Sequence, residues 1–120
     1  MSSLNRKELG QSTVVYCPQG RLDGESSEGF YNSIVEGEEE AIRIRLLIIN
    51  LCEIDFVSSA GLRALLKLSR WSQAEGILFA MTSLQAGVAK VFEIAAIFSS
   101  EQIFTNEDEA LSALQTSNDE

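Results

Sequence analysis

The stretch of this chain that decides its fold reads Asn50-Leu51-Cys52-Glu53-Ile54-Asp55-Phe56-Val57-Ser58-Ser59-Ala60-Gly61-Leu62. Residues 45–51, which overlap the start of this stretch, form a nearly continuous apolar run with the length of a β-strand. Continuous apolarity is typical of a central strand that is covered on both faces by helices. Apolar residues recur at helical spacing after Gly61, which predicts a helix. The stretch therefore leads from the carboxyl end of a central strand to a helix, where open α/β sheets build their sites.

The remaining sequence predicts strands that alternate with helices. Further strand-like segments are residues 13–16, 77–81 and 102–104, and the predicted helices cover residues 30–35, 62–70, 84–92 and 107–114. Asn106 is placed to cap the last helix, and the acidic run from Gly37 to Glu40 is expected to be a solvated break. Pro18 and Gly24 are expected outside the interiors of these elements. The pattern predicts an α/β domain with a mixed sheet of about 4–5 strands and about 4 helices.

The core is expected where two apolar strands meet the helix after Gly61. Its predicted centre is Leu47, Ile49, Leu51, Leu65, Leu66, Ile77 and Phe79. Cys17 and Cys52 lie in apolar strand-like runs, where a free cysteine behaves as a small buried hydrophobe. Two core thiols are therefore expected, with a disulfide or a reactive cysteine as the alternative.

The length and the charge limit the class of protein. A chain of 120 residues is long enough for one ordinary domain, and residues 1–120 are expected to fold as a single unit. The 18 acidic and 9 basic residues give a net charge of −9, which repels nucleic-acid phosphates and anionic lipid headgroups. The longest apolar run is far below the ~20 residues that cross a bilayer. Neither direct nucleic-acid binding nor membrane insertion is expected.

The absence of histidine from the sequence excludes several chemistries. Ser-His-Asp and Cys-His nucleophile systems need an imidazole, and so do many zinc sites. No glycine-rich phosphate cradle occurs, so no cofactor, metal or catalytic residue is predicted. The amino-terminal residues lack the apolar stretch of a signal peptide, and a cytoplasmic protein is expected.

The adjacent serines Ser58 and Ser59 have a simple structural interpretation. They stand at the predicted start of a helix, and serine is among the best N-cap residues. Capping alone would explain their presence.

Four segments together resemble the STAS-domain family, specifically the bacterial anti-sigma-factor antagonists. The strings are Gly20-Arg21-Leu22-Asp23, Asp55-Phe56-Val57-Ser58-Ser59-Ala60-Gly61-Leu62, Val91-Phe92-Glu93-Ile94-Ala95-Ala96-Ile97, and Ile103-Phe104 with the acidic helix after it. They occur in the order of the family, and the whole match covers residues 13–114. The resemblance implies a single STAS domain with a frayed tail at residues 115–120.

The resemblance also implies a function and a switch residue. In that family the serine two residues before the glycine is phosphorylated by an anti-sigma factor serine kinase, and here it is Ser59. Ser58 stands where many members have Asp, and Asn50 stands where many have an acidic residue. The implied protein is not an enzyme. Its unphosphorylated form binds the kinase and so releases a sigma factor, and a serine phosphatase would restore this form.

The partner-binding residues implied by the resemblance surround that serine. They are Asp23, Ser58, Ser59, Ala60, Gly61, Arg63 and Lys67. Asp23 matches an early Asp of the family and either acts near the serine loop or caps the following helix. Arg63 and Lys67 belong, with Arg70, to a basic stripe that either meets acidic partner groups or is a solvated helix face.

Three other functions are weighed against this one. A serine hydrolase would need a base near Ser59, and the sequence supplies none. A phospho-receiver with Asp55 as acceptor would need an acidic pair after the first strand and a late lysine, and both are missing. The remaining alternative is a STAS scaffold, or the cytosolic subunit of a lipid or anion transporter, with no role in sigma-factor control.

Overall fold

Seven strands and four α-helices follow one another in the part of the chain that the computed structural model describes, residues 5–10, 12–39 and 44–115. The strands are β1 (Asn5–Leu9), β2 (Thr13–Cys17), β3 (Gly20–Leu22), β4 (Leu46–Asn50), β5 (Ile54–Val57), β6 (Leu78–Thr82) and β7 (Ile103–Phe104). The helices are α1 (Ser27–Glu39), α2 (Ser59–Ala74), α3 (Ala86–Ala95) and α4 (Glu107–Ala110). A 3-10 turn, Ser100–Gln102, precedes β7, and a π-helical turn, Leu111–Gln115, follows α4.

Five of these strands form one mixed sheet in the order β1-β2-β4-β6-β7. β1 pairs with β2 antiparallel, and the other three pairs in this sheet are parallel. β3 and β5 form a separate parallel pair. The predicted α/β class, with a mixed sheet of this size and four α-helices among the described residues, is confirmed.

β4 is the central strand of the large sheet, as its continuous apolar run predicts. Leu47 and Ile49 face the main core, which α1, α2 and α3 cover. Leu46 and Ile48 face a smaller cluster closed by Ala110 of α4. Successive residues of a strand point to opposite faces, so a strand covered on both sides must be apolar at every position.

Three strands were not predicted from the sequence. β1 is polar and almost wholly exposed, as an edge strand that packs on little can be. β3 and β5 have only three and four residues, too few to show the alternation that identifies a strand. Pro18 and Gly24 lie outside strands and helices, as expected. The expected fraying of the tail concerns residues 116–120, which lie outside the described part, whereas residue 115 closes the last turn.

The predicted core centre is confirmed except for Leu66. Leu47, Ile49, Leu51, Leu65, Ile77 and Phe79 are all buried in the main core. Leu66 is only half-buried and does not belong to it, so its assignment was wrong. α2 instead buries Leu65 and Leu68, whose spacing follows the helical repeat, while Leu66 is rotated about 100° away from Leu65.

The expectation of two buried thiols is also wrong. Cys17 is half-buried at the end of β2, and Cys52 is exposed. Cys52 lies outside the sheet because β4 ends at Asn50, whose side-chain oxygen accepts a hydrogen bond of 2.9 Å from the Cys52 amide. Asn50 thus turns the chain away from the strand, an Asx-type contact that stops regular pairing.

The predicted break from Gly37 to Glu40 is wrong as far as Glu39, because α1 continues to that residue, and Glu40 lies outside the described residues. α1 continues through Glu38, whose side chain is buried. Arg6 of β1 binds the Glu38 carboxylate with two nitrogens, at 2.7 and 3.2 Å, and the Tyr16 hydroxyl donates to the same carboxylate. Burial and the neighbouring Glu38 raise the pKa of Tyr16 well above its usual range. A paired, hydrogen-bonded carboxylate can be buried, and this one fastens α1 to β1 and β2.

Candidate functional site

The serine loop, defined here as residues 57–61, joins β5 to α2 at the carboxyl end of the β3–β5 pair. Ser58 is the N-cap of α2, and its hydroxyl accepts a hydrogen bond of 3.2 Å from the Gly61 amide. The Ser58 amide donates to the Leu22 carbonyl at 2.9 Å. The capping interpretation is therefore confirmed for Ser58, which is tied both to its own helix and to β3.

Ser59 is the first residue of α2 and is exposed. No group within the described residues hydrogen-bonds to its hydroxyl. The predicted position at a helix N-terminus is confirmed, and the two serines have different surroundings. Ser58 is half-buried and occupied as a cap, whereas Ser59 is exposed and its hydroxyl has no hydrogen-bond partner among the described residues.

Gly61 allows α2 to lie directly against β3. It is buried, and a Cβ atom built at this position would stand 2.3 Å from the Leu22 carbonyl oxygen. Only a residue without a side chain fits there unless the helix moves. Its role in partner binding remains a prediction, but its packing role is given by this contact.

Replacing Gly61 with Ala is expected to destabilise the chain by about 1–3 kcal/mol, because the new methyl group would push backbone against backbone. Chemical denaturation of the variant and the wild type measures this loss. Ala60→Gly, one residue earlier, is the matched control, since Ala60 is not fully buried and the expected loss is only about 0.5–1 kcal/mol for the backbone entropy of glycine. A wild-type stability for Gly61→Ala would contradict the close approach of α2 to Leu22.

Asp23 lies beside the serine loop and holds the turn that enters α1. Leu22 is paired with Val57, so the residues that follow each of them, Asp23 and Ser58, leave the β3–β5 pair at the same end. The Asp23 carboxylate accepts hydrogen bonds from the amides of Glu25 and Ser26, at 3.0 and 3.2 Å. The Arg21 guanidinium and these amides lower the pKa of Asp23. Both roles weighed from the sequence are thus compatible with its position.

An exposed aromatic residue and a cation form a contact across the β3–β5 pair, which the sequence does not predict. Phe56 is 40% exposed, and the Arg21 guanidinium lies 4.0 Å from its ring centroid. Arg21 and Phe56 are register partners in the β3–β5 pair, which brings the two side chains together. The sequence signal that could have indicated this contact was the aromatic residue at position 56, inside the motif that contains the two serines.

The basic stripe is divided between two environments. Arg63 is exposed one turn after Ser59, on the same face of α2. The Lys67 ammonium instead lies 4.4 Å from the centroid of the Tyr31 ring of α1, a cation–π contact within the fold. The first turn of α2 contains no acidic residue, so the positive end of the helix dipole near Ser59 is not neutralised by its own helix.

Residues 5–10, 12–39 and 44–115 include no helix with the length and apolar character of a membrane span. They also contain no group of three or more potential ligands that could hold a metal ion.

The fold and the loop define a class of small α/β domain, and comparisons with known proteins give the family. The sequence model of the STAS domain matches residues 6–110, so the chain belongs to the STAS domain family. The match begins with β1, earlier than the residues 13–114 predicted from the motifs. No curated protein sequence matches at a significant level.

Solved structures with the same fold come from two functional settings. The anti-sigma factor antagonist SpoIIAA in its unphosphorylated form has a TM-score of 0.77 and 20% identity, over 94% of this chain and 96% of that one. The phosphorylated form of the Bacillus cell fate determinant SpoIIAA gives 0.69 and 20%, over 92% and 98%. A sulfate transporter family protein from Wolinella succinogenes gives 0.80 and 13%, over 95% and 93%. At these identities the likeness concerns the fold.

Proposed function

We propose that this STAS domain is an anti-sigma factor antagonist whose binding is switched by phosphorylation of Ser59. The unphosphorylated chain binds an anti-sigma factor serine kinase, and the phosphorylated chain does not. The observation that carries the proposal is the exposure of Ser59 at the start of α2, where no described residue hydrogen-bonds to its hydroxyl. Its neighbour Ser58 is occupied as the helix cap.

The helix N-terminus suits a phosphoserine without damage to the fold. A phosphate carries about −1.5 to −2 charges at neutral pH, and the free amides and dipole of a helix N-terminus favour an anion. Arg63 lies on the same face of α2, about 5–6 Å away between Cβ atoms at this spacing. The modification is therefore expected to change what docks on the serine loop and to leave the domain folded.

The exposed residues of β3, β5 and the first turns of α2 suit a protein partner better than a small substrate. They include the Phe56 ring, the Arg21 and Arg63 side chains and Ser59. Exposed aromatic and arginine side chains are the residues that contribute most to protein interfaces. No histidine is present in the chain to activate a serine, and we propose a function without catalysis.

Phosphorylation at Ser59, and not at Ser58, is the expected result of incubating the chain with ATP and the serine kinase encoded nearest to its gene. Peptide mass mapping locates the phosphate. Ser58→Ala is the matched control, because it removes the hydroxyl that caps α2 and keeps the Ser59 hydroxyl. This variant should still be phosphorylated. Ser59→Ala should remain unlabelled but still bind the kinase. A phosphate found on Ser58 would contradict the assignment of Ser59 and would make the N-cap residue the switch.

A second candidate function is a STAS scaffold or a transporter-associated subunit. The sulfate transporter family protein matches this fold as closely as the antagonist does. In that case Ser59 would be a contact or structural residue. Absence of label, together with equal partner binding by the wild type and Ser59→Asp, would favour this second function.

A further inference from the structure

The two cysteines are brought to the same edge of the sheet, although they lie far apart in sequence. Cys17 is the last residue of β2, and Tyr16 is the register partner of Ile49 in the parallel β2–β4 pair. Cys17 is therefore level with Asn50, where β4 ends. Cys52 follows two residues after Asn50, in a turn held by the bond from its own amide to the Asn50 side chain, so both cysteines lie at this end of the β2–β4 pair.

The surroundings of the two thiols differ. Cys52 is exposed, whereas Cys17 is half-buried in a cleft of about 210 Å³ between β1, β2 and the start of α4. Glu107 also lines this cleft and binds both the Asn50 amide, at 2.6 Å, and the Lys7 ammonium, at 3.2 Å. Burial raises the pKa of Cys17 to about 11, and the adjacent Cys52 thiol adds to this, followed by Glu53 and Glu107.

We propose that Cys17 and Cys52 are a redox-sensitive pair that closes to an intramolecular disulfide when the chain meets a low-molecular-weight disulfide. The exposed Cys52 reacts first. Its thiolate attacks one sulfur of the reagent, the reagent S–S bond breaks, and one thiolate leaves. Cys17 then loses its proton, attacks the Cys52 sulfur and displaces the second thiolate. The two cysteines give up two electrons, and the reagent is reduced to two thiols.

The bond would restrain the route into the serine loop. It would join the end of β2 to the turn between β4 and β5, and β5 leads directly to Ser58. A reducing environment keeps the pair as two thiols, so the disulfide would report a change in the thiol–disulfide balance. This inference concerns the thiols alone and stands whether or not Ser59 is phosphorylated.

Oxidised glutathione is the probe for the first experiment, with the full chain under native conditions. Intact mass and non-reducing peptide maps should show a glutathione adduct on Cys52 that gives way to a Cys17–Cys52 disulfide within one chain. The Cys17→Ser variant should stop at the adduct. The Cys52→Ser variant, changed only at an exposed position, should react far more slowly than the wild type.

The pH dependence of the second step supplies an independent readout. Because only the Cys17 thiolate reacts, closure of the adduct should accelerate about tenfold for each pH unit between pH 7 and 9, below the pKa of Cys17. An adduct on wild-type Cys52 that persists as long as the one on Cys17→Ser would overturn the proposal. So would disulfide-linked dimers as the main product.

Discussion

Phosphorylation of Ser59 is expected to weaken binding of the anti-sigma serine kinase by about a thousandfold. A partner docked over Ser59 would have to exclude water from a dianion at the contact. An unpaired buried charge costs several kcal/mol, and a loss of about 4 kcal/mol corresponds to a thousandfold change in Kd. Calorimetric titration of the phosphorylated and unphosphorylated chains against the kinase measures the difference.

Two variants separate the effect of added charge at position 59 on kinase affinity from the effect of losing the neighbouring hydroxyl at position 58. Ser59→Asp adds one carboxylate and should weaken binding by about a hundredfold, less than phosphate because it carries less charge. Ser58→Ala removes only the cap and should keep the affinity within about tenfold of the wild type, with a loss of about 1 kcal/mol in stability. Circular dichroism should show all these forms folded. Equal affinity of the phosphorylated and unphosphorylated chains would refute the switch.

The position of the candidate site could be predicted because its signals are local in sequence. An apolar strand, two serines and a glycine before a periodic apolar run indicate a strand end followed by a capped helix. The same signals could not show which serine is the cap. That choice depends on backbone geometry. Ser58 has an extended backbone and its hydroxyl accepts a hydrogen bond from the Gly61 amide, whereas Ser59 is already part of the helix.

The contacts across the β3–β5 pair could not be predicted. Both strands are too short to show a hydrophobic period, and their pairing is a long-range event. The meeting of Arg21 with Phe56 and the fit of Gly61 against Leu22 both depend on that pairing. The contact of Lys67 with the Tyr31 ring could not be predicted either, because nothing in α2 itself indicates Tyr31 on the neighbouring helix.

The wrong predictions that Leu66 and Cys52 are buried in the core have a common cause. Composition and spacing identify an apolar segment, but they do not fix where a strand stops or which of several leucines points inward. The α2 sequence has leucines at positions 62, 65, 66 and 68, and several faces satisfy a helical period. Packing against β6 and α1 selects Leu65 and Leu68.

Replacing Leu65 with Ala is expected to lower the free energy of unfolding by about 2–5 kcal/mol, because this side chain is fully buried in the main core. Leu66→Ala is the matched control on the same helix. Leucine and alanine both favour helix, so the difference between the two variants reports burial and not helix propensity. Because Leu66 is only half-buried, Leu66→Ala should lower the free energy of unfolding by only about 1 kcal/mol.

Urea unfolding of the two variants beside the wild type tests this assignment, with the midpoints compared at an unchanged slope. The loss should be at least twice as large for Leu65→Ala as for Leu66→Ala. Equal losses would mean that both leucines face the core, and a larger loss for Leu66→Ala would rotate α2 by about 100°. Such a rotation would turn Ser59 and Arg63 together about the axis of α2 and away from their present position, so this measurement tests the geometry on which the phosphorylation switch depends.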